Sequence, residues 1–394
     1  MGVAVVLVAA LVVLSQHDAP HRSVRVVTAT PITTSTTDEP TPETTSTTGV
    51  TLAPSPTVPA VTVPATTPPV RVNPPSTTLP KPFGAVASID GPGIYLINID
   101  GTGLRRLSKG SSDTFPSFSP DGNSIAYTAN FNQLHVVTQA GRDRTVATNV
   151  ATQQHPSWSP DGTHIAYPGP GAGSDRDPWV VAADGQTPAR QLAEPGDDGN
   201  VDWGRTNRIV SIGSAGLVAI DPSGQNRQVI DGEPLSRGIV RWSPDASAVV
   251  AMPDSTATDL IVNADGSNPR QLGHGDGSAP EYNYDEADWA PSSQQLVYWE
   301  NARRTGTVNI LVAPGDGRAG AVIESEMNWP AWSPKGDLIA AAGKPDGRGR
   351  PLDVVTFAPT GGPPRSLVSN TKGLMIEHPR FSLNGTSIVF AAVG

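Results

Sequence analysis

One short pattern returns seven times along the last three-quarters of the chain. Its clearest copies run Pro116-Ser117-Phe118-Ser119-Pro120-Asp121-Gly122, then Ile125-Ala126-Tyr127, and Pro156-Ser157-Trp158-Ser159-Pro160-Asp161-Gly162, then Ile165-Ala166-Tyr167. The aromatic anchor of the pattern recurs at Phe118, Trp158, Trp203, Trp242, Trp289, Trp332 and Phe381, in steps of 40, 45, 39, 47, 43 and 49 residues. A unit of this length cannot bury an apolar face alone and must stack on its neighbours. A period in this range is that of a blade of four short strands. The expected fold is all-β, a β-propeller of seven blades rather than six.

Each repeat resolves into four strands, which in the first full copy are Pro116–Ser119, Ser124–Tyr127, Leu134–Val137 and Thr145–Ala147. Beta-branched and aromatic residues dominate, and turn residues bound each run. In the Ser-Pro-Asp-Gly element, proline presets the first turn position and glycine takes the left-handed one. Asp100-Gly101, Asp184-Gly185, Pro222-Ser223-Gly224 and Asp265-Gly266 mark a second tight turn, between the third and fourth strands. Spaced oxygen ligands are missing after these pairs, so they are turns and not calcium loops. With 40 glycines and 40 prolines punctuating the chain, no amphipathic helical stretch survives in the repeat region. Five of the eight tryptophans are anchors. An aromatic recurring once per blade belongs between blades, where its burial contributes about 2–3 kcal/mol. Trp179, Trp299 and Trp329 fall off the anchor register and lack this explanation.

The first 82 residues read differently. They contain no Phe, Tyr or Trp, and more than half of residues 26–82 are Thr or Pro. Such a segment cannot bury enough apolar area to offset the entropy of ordering it, and is expected to be a disordered, extended linker. Before it, residues 1–25 hold an apolar run from Val3 to Leu14, short for a membrane span and suited to a signal peptide or signal anchor. The first cations, Arg22 and Arg25, follow the run instead of preceding it. The domains expected are 1–25, 26–82 and a propeller over 83–394. An apolar start followed by a stalk fits an extracytoplasmic domain, in the periplasm or at the cell surface, with N-terminal membrane association.

The chain has no cysteine, which excludes disulfides, thiol catalysis, cysteine metal sites and a lipidated cysteine. Its net charge is −10; the first 82 residues hold four acids and four bases, so the excess lies in the repeats. An acidic domain without a basic stripe argues against nucleic acid as a partner. No Gly-x-Ser-x-Gly elbow occurs. Gly169-Pro170-Gly171-Ala172-Gly173 has no helix after it, so it is not a nucleotide fingerprint.

The set of motifs (Pro-x-Trp-Ser-Pro-Asp-Gly, an Ile-Ala-aromatic strand, an apolar strand and Asp-Gly) resembles the TolB-type family of WD-like propeller repeats from about Phe83 to Gly394. Trp203 is followed by Gly204-Arg205-Thr206-Asn207, Pro244-Asp245 by Ala246, Trp289 by Ala290-Pro291-Ser292-Ser293 and Phe381 by Ser382-Leu383-Asn384-Gly385. These departures weaken single turns and leave the register intact. The resemblance implies that the anchor strand is innermost and that both termini complete one blade. Ala85–Ile89, Ile94–Ile97 and Arg105–Leu107 precede the first anchor, and Ser387–Val393 follows the last. That is one strand too many for a four-stranded closing blade. Either Ala85–Ile89 or Ser387–Val393 is displaced.

The tight turns share one face of such a ring, and the long loops collect on the other. The longest, Gly273–Ala287, carries Tyr282, Tyr284, Asp285 and Glu286, a mixture suited to a protein or glycan surface. The residue three before each anchor should point to the channel mouth on that face: Phe115, His155, Asn200, Ile239, Glu286, Trp329 and His378. His155, Glu286 and His378 are metal ligands by type, and the resemblance extends to metal-dependent polysaccharide lyases with histidines in such a place. Phe115 between the two histidines weakens that set, so neither a metal nor a cofactor is expected. The chain reads as a monomeric, non-enzymatic binder of a protein or envelope glycan. Its candidate ligand-binding residues are Tyr282, Tyr284, Asp285, Glu286, His155, Trp329 and His378. A lyase acting on acidic polysaccharide is the alternative.

Overall fold

The computed structural model describes residues 86–394 apart from 152–154, 172–175, 193–199, 236–237, 254–258, 274–285, 303–306 and 346–348. The N-terminal apolar run, the Thr/Pro linker and Tyr282, Tyr284 and Asp285 lie outside the described residues. Within them the chain forms seven four-stranded antiparallel sheets and no helix. Blade one is Thr114–Phe118, Ser124–Ala129, Gln133–Thr138 and Asp143–Thr148, from the innermost strand outward. Blades two to six repeat this order from innermost strands Ser157–Trp158, Val201–Trp203, Gly238–Trp242, Ala287–Trp289 and Met327–Trp332. Every innermost strand ends on its aromatic anchor.

Blade seven closes the ring from both ends of the repeat region. Met375–Phe381 is innermost, Ser387–Val393 follows, and Gly93–Asn98 and Arg105–Arg106 complete it. The join is a six-residue antiparallel register from Gly93↔Ala392 to Asn98↔Ser387. The displaced segment is therefore the one near residue 87. It makes one parallel bridge, Ala87 to Val368, and accepts a hydrogen bond from Ser369 N at 2.9 Å, on the outer strand of blade six. Gly93–Asn98 wins the place in blade seven because it offers six pairs and a strand buried almost throughout.

Seven apolar clusters fill the seven gaps between neighbouring blades, and this is where the core sits. Trp158, for example, packs with Ile165, Tyr167 and Val181 of its own blade against Leu134, Val136 and Val150 of blade one. Its indole N–H also donates to Ser117 O of that blade at 3.2 Å. An anchor thus belongs to two blades at once, as expected. Of the off-register tryptophans, Trp299 is core between blades five and six, whereas Trp179 and Trp329 are only partly buried.

The tight turns form as the residues dictate. Ser119 Oγ donates to Asp121 Oδ1 at 2.5 Å, Asn123 N donates to the same oxygen at 3.0 Å, and Gly122 takes φ 74°. These donors hold the Asp121 carboxyl below its usual range, and the matching set, led by Ser159, holds Asp161 near about 2. Where the glycine is missing, Asn207, Ala246 and Ser293 adopt φ of 60°, 58° and 60° instead. The turn geometry survives its own substitutions, and the strand register with it.

A plugged central channel as the candidate functional site

Trp329, His378 and Phe115 each precede a proline and carry positive φ, at 53°, 51° and 53°. The strand pairing slips at each, between Asn328 and Ala331, Glu377 and Arg380, and Thr114 and Ser117. A bulge of this kind re-aims a side chain next to a site, and the left-handed backbone costs on the order of 1–3 kcal/mol at a bulky residue. Here the bulges of blades six, seven and one turn three rings toward one another. The centroids of Phe115 and His378 are 4.2 Å apart and those of Trp329 and His378 4.9 Å. His155 of blade two meets His378 edge-on at 4.8 Å and Phe115 at 5.1 Å.

Glu286 reaches the same cluster from blade five. His155 Nε2 lies 2.7 Å from Glu286 Oε1, and His378 Nδ1 lies 3.1 Å from Oε2. Blades two and five are three apart around the ring, so their side chains can touch only across its axis. The group is consequently a plug: the side chains of His155, Glu286 and His378 are 7%, 1% and 8% exposed. Asn200 turns aside, its amide donating to Gly238 O, and Ile239 packs into the core between blades four and five.

A second layer lies one residue before each anchor, on the same strand face because that face repeats every two residues. It reads Ser117, Ser157, Asp202, Arg241, Asp288, Ala331 and Arg380. The positions three before the anchors do not point to this layer; the period of two along each innermost strand does. Arg380 contacts Glu286 Oε1, and its Nη2 lies 3.3 Å from His155 Nε2. Arg241 stands 3.9 Å from the same carboxylate. Ser157 Oγ donates to Asp202 Oδ1 at 2.9 Å, and Trp242 N donates to Asp202 Oδ2 at 2.8 Å. Trp332 N donates to Asp288 Oδ2 at 2.7 Å.

Charge within the plug follows from this packing. Burial pushes His378 down to about 4 and holds His155 well below its usual value, with Arg380 and Arg241 adding repulsion. Glu286 does not reverse this, because Arg380 already neutralises it and a third charge would stand uncompensated. Burial and Arg241 also bear on Arg380, but a guanidinium stays protonated in proteins and Glu286 is its counter-ion. His155 Nε2 stands between Glu286 Oε1, which can only accept a hydrogen bond, and the Arg380 guanidinium, which can only donate one. The Pro116 carbonyl pulls on the ring, yet Nδ1 has no well-formed hydrogen bond. Asp288 reaches the channel with part of its surface but lies deep enough that burial raises its carboxyl to about 6.

His155, Glu286 and His378 offer donor atoms within 4.8 Å of one another, the spacing of a metal centre. As arranged they do not fit a divalent ion. The Arg380 guanidinium sits against Glu286 Oε1 and beside His155 Nε2, where a bridging cation would have to stand.

Beyond the plug the channel widens into a cavity of about 660 Å³. Ser117, Ser157, Asp202, Arg241 and Arg380 wall it, His155 lies at its inner end, and Pro120, Pro160, Arg205 and Leu383 of the tight turns form its rim. It therefore opens on the tight-turn face. Of the candidate residues, His155, Glu286, Trp329 and His378 come together, while Tyr282, Tyr284 and Asp285 lie outside the described residues.

No protein-family model matches this sequence, and no curated protein matches it. Solved structures do. A TolB-type protein from Agrobacterium tumefaciens is 16% identical over 79% of this chain and 100% of its own, with a TM-score of 0.50. U3-55K is 12% identical over 77% of this chain and 100% of its own, with a TM-score of 0.51. An oligogalacturonate lyase in complex with manganese is 16% identical over 76% of this chain and 82% of its own, but its TM-score of 0.39 is too low to bear on chemistry. Likeness at these identities concerns architecture, and by architecture the chain is a seven-bladed propeller of TolB-type fold.

Proposed function

We propose that this protein is a non-enzymatic, extracytoplasmic binding propeller that seats a segment of a protein or envelope polymer in its channel mouth. The observation that carries the reading is the channel cavity, with Arg205, Arg241 and Arg380 along its wall in a domain that is otherwise strongly acidic. Arginines around a concave site present donors in a fixed fork to carboxylates and carbonyl oxygens. Glu286, the group in the plug best suited to act as a base, already engages His155, His378 and Arg380. The apolar N-terminal run and the Thr/Pro segment support a domain displayed away from a membrane.

Capture from the native envelope fraction tests this when wild type is compared with Arg241→Ser and with a Tyr282→Ala/Tyr284→Ala double variant. Loss on the arginine change alone is expected. Loss on the tyrosine changes alone would move the site to the segment that carries them.

The spacing of His155, Glu286 and His378 favours a second reading, a metal-dependent polysaccharide lyase. It requires Arg380 to leave the carboxylate. Elemental analysis of the purified protein separates the two, and a stoichiometric divalent metal would overturn the binding-only reading.

A further inference from the structure

Trp179 was unexplained by the repeat pattern, and the channel does not use it. It stands in the third strand of blade two, Arg176–Ala182, and lines a second cavity of about 380 Å³ between the outer strand of blade one and blade two. Its ring lies flat on the neighbouring strand because residue 169 is glycine. A Cβ there would fall 2.5 Å from Trp179 Cδ1 and 2.8 Å from Nε1. The indole N–H is engaged by Pro170 O at 3.0 Å. The tryptophan is thus held in one orientation with ring surface left over for the groove.

The floor of that groove holds a second irregularity. Four tyrosines are buried in the described core, and three have protein partners for their hydroxyls. Tyr95 donates to Asp90 at 2.5 Å, Tyr127 to Asp143 at 2.7 Å and Tyr298 to Gly273 O at 2.8 Å. Tyr167 is only 2% exposed, lines the groove, and has no hydrogen-bond partner for its hydroxyl among the described residues. That hydroxyl opens on the groove, so its hydrogen bonds must come from water or from a ligand seated there. Thr148 and Asn149 stand exposed on the wall opposite, and no lining residue is charged.

We propose that this groove binds an uncharged saccharide. A sugar ring has an apolar C–H face for the Trp179 ring and a rim of hydroxyls for Tyr167, Thr148 and Asn149. An anion or cation would find no counter-charge among the lining residues, and a purely apolar ligand would leave the Tyr167 hydroxyl unpaired. The volume is in the range of small-ligand sites. The site is separate from the channel and does not rest on the function proposed for it.

Saturation-transfer difference NMR on the full chain tests it with four neutral disaccharides: maltose, cellobiose, mannobiose and N,N′-diacetylchitobiose. Transfer to at least one is expected. Tyr167→Phe, which removes only the hydroxyl, should weaken that binding about tenfold, and Trp179→Ala should abolish it, with the propeller's circular dichroism retained in both. Transfer to none of the four overturns the proposal, and so does transfer that persists unchanged in Tyr167→Phe. Should Trp179→Ala fail to fold, Tyr167→Phe and the double variant Thr148→Val/Asn149→Ala decide alone. Digalacturonate is the charged control, and tighter binding of it than of every neutral sugar would also overturn the assignment.

Discussion

The anchors and the residues three places before them occupy equivalent positions in all seven blades, yet they behave differently. The anchors, five Trp and two Phe, take part in the packing between neighbouring blades. The earlier positions hold Phe115, His155, Asn200, Ile239, Glu286, Trp329 and His378. Five of these meet across the axis, while Asn200 and Ile239 turn to other work. A repeated packing demand selects one residue type again and again. A point near the axis is open to every blade, and the five that reach it contribute Phe, His, Glu and Trp side chains to a single object.

The sharpest way to break this comparison is to remove one member of each class. Trp158→Ala should destabilise by about 3–5 kcal/mol, because a large side chain leaves a cavity in a cluster shared by two blades. Equilibrium denaturation measures it. A loss below about 1 kcal/mol would mean that the anchors are interchangeable fillers. Glu286→Gln should cost about 2–3 kcal/mol, since it strips Arg380 of its charged acceptor while keeping the shape of the plug. If the variant is instead more stable than wild type, the plug is kept for a ligand and not for the fold.

The same contrast sets what was legible in the sequence. Anchor spacing, the four-strand repeat and the tight turns follow from period and turn chemistry, which are local, and the structure carries them all. Ring closure was legible only to within one strand, because the choice between Ala87 and Ser387–Val393 depends on a six-residue register that no local signal encodes. The convergence of His155, Glu286 and His378 was readable as a position but not as a closed cluster. Closure depends on Arg380 and on bulges at residues before proline, where an extended backbone is the ordinary expectation. The Tyr167 groove was invisible, since only the partners found by Tyr95, Tyr127 and Tyr298 reveal the one that is missing.

Acid should act on the plug with a definite sign. His378 falls from about 6.5 unfolded to about 4 folded, and His155 shifts the same way. Their stabilising contribution is complete above the unfolded value and is lost as pH drops through the window below it. Asp288 opposes them. Its folded value of about 6 exceeds the unfolded one, so it favours the fold increasingly as pH falls from 6 toward 4. Two histidines outweigh one carboxyl, and wild type should lose on the order of 2 kcal/mol between pH 7 and pH 5. In Asp288→Asn the loss should be about 1 kcal/mol steeper. Parallel pH profiles for the two proteins would show that Asp288 titrates as it does in the unfolded chain.

The smallest effect compares two copies of one turn. Gly162 of blade two and Ala246 of blade four sit at the same left-handed position, with φ of 71° and 58°. Around both, the serine hydroxyl binds the turn aspartate, Ser159 to Asp161 at 2.6 Å and Ser243 to Asp245 at 2.7 Å. The alanine holds a backbone that disfavours a Cβ, while the glycine is more costly to order from the unfolded chain. Ala246→Gly should therefore stabilise by about 0.5–1 kcal/mol, and Gly162→Ala should destabilise by a similar amount. Space does not decide the second change, because a Cβ at 162 would approach only Pro120 Cδ, at an ordinary 3.5 Å. Thermal melts of the two single variants measure both signs. If Ala246→Gly is neutral while Gly162→Ala is costly, the blade-four turn has relaxed around its alanine, and the repeats differ in backbone energetics as well as in sequence.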